Sequence, residues 1–243
     1  MSLAQPKSGE LLDLLTPSLT KGENLLSEFE IHRIIREAKK LPERYQGLSI
    51  EGLAKLVLGE IDEGCSLCER GLRIAPNDPV SFCNYTIALR NLGLHARQYV
   101  MIQKASDSLN PTILAEVATI SAYWVDIDLL EKVMPMLTAM EVPRPEDMGK
   151  WYDTLNYLHT QKDHAQELKT IGRLMMNVAE KYRARLAGAH AFYVMSELDT
   201  LFVEVKTDDP VLLSQMNNAL ADEIIIAGLA DSECVGCFEA GEL

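Results

Sequence analysis

Apolar residues recur at three- and four-residue intervals along most of the chain, which is the spacing of one face of an α-helix. Over residues 22–41 the apolar positions are Leu25, Leu26, Phe29, Ile31, Ile34, Ile35 and Ala38. Lys39 and Lys40 fall in the last turn, where cations suit the helix dipole, and Pro42 stops the helix. Shorter segments follow. Residues 50–58 break at Gly59, 62–75 end at Pro76, 80–92 run to Gly93, and 96–109 run to Asn110 and Pro111. Asn77-Asp78-Pro79 reads as a turn followed by a helix start, with proline in the first turn. Residues 113–123 and 128–140 predict a further hairpin, stopped by Pro143 and Pro145, and another helix runs from 145 through Trp151, Leu155 and Leu158. Asp163 is the expected N-cap of a long helix to about residue 187, with the stripe Leu168, Ile171, Leu174, Met175, Val178, Tyr182 and Leu186. Residues 1–21 contain Pro6 and Pro17 and sustain no period, so they read as a loose arm with at most a helical turn at 10–15.

Beyond Gly188 the pattern changes. Residues 201–206 are rich in β-branched and aromatic side chains and predict a strand. Asp208-Asp209-Pro210 caps a helix over 211–227, and 234–239 predict a second short strand. A strand–helix–strand of this size cannot bury its own core. It must pack on the helical body, pair with another chain, or recruit residues 192–195 as a third strand.

Residues 45–78 resemble one tetratricopeptide repeat of the usual 34-residue kind. Gly52, Gly64 and Gly71 fall where that family brings its helices close, Gly59 occupies the turn, and Leu72, Ile74 and Pro76 match its closing pattern. A second copy over 79–112 supplies Phe82, Tyr85, Leu89, Gly93, Ile102, Ala105 and Pro111, with one residue inserted before the proline. Leu48 and Phe82 stand at the family's frequent tryptophan, and Gly64 replaces its alanine. The resemblance covers about 70 residues. It implies a mainly α fold, an α-hairpin solenoid with a small C-terminal α/β appendage. The expected organisation is an arm at 1–21, a helical-repeat domain at 22–188 and an acidic α/β region at 189–243.

Composition narrows the function. The chain of 243 residues is 47% hydrophobic and carries a formal charge of −13, which excludes wholesale disorder and argues against coating nucleic acid. No apolar run is long enough to span a membrane, and the first residues lack a secretion signal, so a cytoplasmic location is expected. The acidity is uneven: residues 196–243 hold eleven acids and only Lys206 as a base. Such a region either steers a basic partner or keeps a small domain soluble.

Cys65-x-x-Cys68 and Cys234-x-x-Cys237 form two pairs, but the first lies in a predicted helix and the second on a predicted strand, where three-apart residues face opposite ways. Buried thiols are the simpler reading, and no metal or cofactor is expected. His32, His95, His159, His164 and His190 form no metal motif and read as surface or helix-end residues. No Walker loop, nucleophile elbow or dinucleotide fingerprint is present, so catalysis is not expected.

What the resemblance implies is recognition of another protein, by holding a peptide or helix in the curve of the array. The expected contacts are Asn84, Arg90 and Gln98 on the second copy, with Tyr123 and Trp124 beyond. The alternative is an antitoxin- or immunity-like inhibitor whose acidic end, with Asp208 and Asp209, neutralises a basic protein. Self-association through an exposed repeat end or an unpaired strand fits the pattern as well.

Overall fold

The computed structural model describes residues 7–140, 155–156, 159–160, 164–194 and 198–241, with backbone alone for 188–194 and 198–199. The chain is mainly helical and carries a small three-stranded sheet near its C-terminus. It divides into two compact units, Met1–Asn91 and Leu92–Leu243. The boundary falls inside the span expected as one repeat domain, so the two halves of the second repeat copy belong to different units.

The first unit contains α1 (Lys7–Lys21), α2 (Glu28–Ala38), α3 (Arg44–Val57), α4 (Ile61–Ile74) and α5 (Pro79–Asn91). The glycines explain the α3–α4 hairpin. A Cβ on Gly52 would stand 2.7 Å from the Gly64 carbonyl oxygen and 2.5 Å from Cys68 Sγ, and one on Gly64 would stand 2.8 Å from the Gly52 oxygen. Gly71 lies against the Tyr45 carbonyl, so partners on α3 descend as those on α4 rise and the pair is antiparallel. Gly59 turns the chain with φ +80.

The arm expected to be loose is instead the helix α1. It buries Leu11, Leu15, Ser18 and Leu19 and packs across α3 and α5. Pro17 removes one helical hydrogen bond, about 3 kcal/mol in a helix interior. Three buried leucines at about 2 kcal/mol each outweigh it. Asn91 Nδ2 donates to the Leu19 carbonyl at 2.9 Å and so satisfies one of the oxygens a helix end leaves open. The next helix begins later than its apolar residues suggest. Ser27 and Glu30 form a capping box that starts α2 at Glu28 and leaves Leu25 and Leu26 outside it. Phe29, counted with the apolar face, is 74% exposed.

The second unit contains α6 (His95–Ala105), α7 (Pro111–Tyr123), α8 (Ile127–Ala139), α9 (Ala165–Lys181), β1 (Leu186–Val194), β2 (Leu198–Val205), α10 (Pro210–Ile226) and β3 (Cys234–Ala240). Asn110 caps α7 and Asp126 caps α8. Most of the helix expected from residue 145 lies outside the described residues; 155–156 and 159–160 are helical. The long helix expected to reach residue 187 ends at Lys181. Arg183 turns the chain with φ +51, and Leu186 begins a strand in place of the last helical turn.

The third strand that the tail required is β1, which is longer than the segment at 192–195. β1 and β2 are antiparallel, while β2 and β3 are parallel and joined through α10. Leu201, Val203, Val205 and Phe238 share one sheet face and are buried. Both α9 and α10 pack on that face. A Cβ on Gly236 would meet Ile171 and Met175 of α9 at 2.8 Å and Leu220 of α10 at 3.2 Å. Asn217 on α10 donates to the Phe238 carbonyl at 2.9 Å and accepts from its N–H at 2.8 Å. A side-chain amide thus occupies backbone groups of an edge strand that would otherwise be open to pairing.

Candidate functional site

The first unit presents a cleft of about 220 Å³ where α1, α3 and α5 meet. Helical spacing brings its lining together. Gln46, Ser49 and Ile50 lie three and four apart on α3, as do Val80, Ser81 and Asn84 on α5, and the first turns of α1 add Ser8, Gly9 and Leu12. Asp78 sits at the start of α5 and accepts from the Ser81 N–H at 2.8 Å, which fixes that end of the cleft.

Ser49 and Ser81 are buried as residues and Asn84 is half-buried, but their side-chain polar atoms are not among the buried ones left without a partner, so all three groups face the solvent of the cleft. A ligand in the cleft can replace water as the hydrogen-bond partner of these three groups. Leu12, Ile50 and Val80 supply apolar wall beside them. A wider depression lies between α1 and α2, but its carboxylates pair with its own neighbours, Glu10 with Lys7 at 2.7 Å and Glu37 with Lys40 at 2.8 Å.

The residues singled out from the sequence are placed unevenly. Asn84 lines the cleft. Arg90 is half-buried on α5, outside the cleft lining, and its buried Nε has no partner. In the second unit Gln98, Tyr123 and Trp124 are buried, so they pack the interior of that unit and offer no open surface. Trp124 stacks on Tyr99 with centroids 4.4 Å apart, and the Tyr99 hydroxyl donates to Asp126. Burial, then the Asp126 carboxylate, pushes the Tyr99 phenol up. The Tyr123 hydroxyl donates to the Ala187 carbonyl at 3.4 Å. Asp209 caps α10 by accepting from the Val211 N–H at 2.8 Å, and Asp208 is exposed beside it.

Ser49 and Ser81 escaped the sequence reading, although a signal was available. They are small polar residues three positions from other polar residues, Ser49 from Gln46 and Ser81 from Asn84, which is a spacing that shares a helix face.

The cysteines and histidines sit as follows. Cys65 and Cys68 are buried on α4, and Cys68 Sγ donates to the Ser49 carbonyl at 3.6 Å. Burial pushes the Cys68 thiol well up, away from the thiolate that nucleophilic or metal chemistry needs. Cys234 and Cys237 point to opposite sheet faces, as strand parity requires. Among the described residues no group of three or more His, Cys, Asp or Glu is placed to hold a metal ion. His95 stands at a helix end, as the first residue of α6, but is fully buried there, with Nε2 2.8 Å from the Ala184 carbonyl. Beside it, the Ala96 N–H donates to Glu180 Oε2, so α9 caps α6. No described helix is long and apolar enough to cross a membrane. Comparison with protein-family models, with curated proteins and with solved structures finds no match to this chain.

Proposed function

We propose that this protein is a non-enzymatic protein–protein interaction module that holds a peptide or helix of a partner in the cleft formed by α1, α3 and α5. The reading extends the tetratricopeptide resemblance of residues 45–78 and is supported by the close approach of α3 and α4 at Gly52 and Gly64. The observation that carries it is the set of cleft-facing polar groups on Ser49, Ser81 and Asn84 beside apolar wall. A peptide matches both parts of that surface, with backbone amides for the hydroxyls and an apolar side chain for Leu12, Ile50 and Val80. Asn84, with one donor group and one acceptor, suits a peptide backbone.

The test is affinity purification of the tagged full chain from its native cell, with mass spectrometry, beside the double variant Ser81→Ala/Asn84→Ala. Both substitutions leave the burial of the helix core intact. A partner captured by the wild type and depleted about tenfold or more by the double variant is the expected result. Equal recovery by the two chains overturns the proposal.

A further inference from the structure

The helix α10 leaves one face uncovered. Its exposed positions are 210, 211, 214, 215, 218, 221, 222, 225 and 226, which fall within one side of the helix. Val211 and Ile225 are each 61% exposed and Ile226 79%, while the helix buries only Met216 and Leu220. Two rows on this face repeat at seven residues, Val211 with Asn218 and Ile225, and Ser214 with Ala221. That is the period at which two helices mesh along a seam, and serine and alanine in the second row allow close approach. The Tyr182 hydroxyl donates to the Gln215 carbonyl at 3.3 Å, tying the flank of α10 to the end of α9.

Charge selects the occupant. Asp222 lies on the face itself and Glu223 on its flank. Between residues 207 and 243 the chain has eight acidic residues and no lysine, arginine or histidine. A second copy would set Asp222 and Glu223 against the same carboxylates, with no base within residues 207–243 to relieve them. We propose that the exposed face of α10 docks a basic amphipathic helix of another protein, with apolar residues meeting Val211, Ile225 and Ile226 and Lys or Arg meeting Asp222 and Glu223. This surface is separate from the α1–α3–α5 cleft, and its test does not depend on the reading of that cleft.

The probe is a labelled synthetic leucine–lysine amphipathic helix about as long as α10, titrated with the full chain and followed by fluorescence anisotropy. A leucine–glutamate helix of the same pattern is its charge-reversed control. The expected result is saturable binding of the basic helix alone, weakened about tenfold between low and physiological salt. The double variant Ile225→Lys/Ile226→Lys and the double variant Asp222→Lys/Glu223→Lys each lose about tenfold or more in affinity. Glu23→Lys/Glu28→Lys, which makes the same charge change in the first unit, leaves affinity unchanged. Circular dichroism checks that every variant keeps its helix content. Absence of binding, equal binding of the acidic helix, or equal loss in the control variant overturns the proposal. So does sedimentation showing that the chain self-associates and that Ile225→Lys/Ile226→Lys makes it monomeric, since the occupant is then a second copy.

Discussion

Two helices of similar length meet opposite fates in this chain. The 15-residue α1 carries a proline in its interior and reads from the sequence as a weak helix, yet its leucine stripe is buried against α3 and α5. The 17-residue α10 is more apolar, begins with Asp209 as a cap and Pro210 in its first turn, and reads as a secure helix. It nevertheless leaves Val211, Ile225 and Ile226 in water. Hydrophobicity within a segment therefore decides whether it must be covered, and the surface its neighbours supply decides whether it is covered. For α1 the chain itself supplies that surface. For α10 it supplies only enough for Met216 and Leu220, and the remainder is available to a partner.

The largest effect that would test this contrast is at Leu15, which is fully buried. Leu15→Ala removes side-chain volume from beneath α1 and is expected to destabilise the first unit by about 3 kcal/mol. Urea unfolding followed by far-UV circular dichroism reads it as a lower midpoint. A loss below about 1 kcal/mol would mean that α1 is not seated as a core element, since a surface leucine on a mobile arm has no such value.

A smaller effect is expected where α10 meets the sheet. Asn217→Ala leaves the Phe238 N–H and carbonyl without their partner. About 2 kcal/mol of stability should be lost with those two hydrogen bonds. The same change reopens part of the β3 edge, so apparent mass by light scattering should rise with concentration. Stability and mass both unchanged would show that Asn217 does not protect the edge.

What the sequence discloses follows from how local its signals are. The glycines of α3 and α4 fall where the tetratricopeptide resemblance implies close helix contact, and the contact is there. Asp209-Pro210 predicts a helix start within a residue or two, since a cap and its first turn are neighbours in the chain. The start of α2 was equally readable in the Ser27–Glu30 capping box, but the apolar run through Leu25 and Leu26 masked it. Other features depend on distant residues. Leu186 falls four positions after Tyr182 and so fits a helical stripe, but the turn at Arg183 puts it on a strand. The Ala- and Gly-rich β1 has little strand preference of its own, and pairing with β2 determines its state. The candidate cleft divides in the same way. Asn84 was readable as a polar residue on a repeat helix and Ser49 and Ser81 carried a spacing signal, whereas the wall that α1 adds beside them was not legible in the local pattern.

The smallest effect is the most discriminating. Ile226→Lys alters the most exposed apolar residue of α10, and the face around it already carries Asp222. A residue that is 79% exposed has little burial to lose, so stability should stay within about 0.5 kcal/mol of wild type. Lysine is also a good helix former near a helix C-terminus, where its charge suits the dipole. Set beside Leu15→Ala, this substitution of an apolar residue should be almost silent in urea. A drop approaching that of Leu15→Ala would mean that Ile226 is covered in the folded chain, and the contrast between the two helices would fail. A silent Ile226→Lys that also weakens binding of a basic helix would locate the value of this residue outside the chain's own fold.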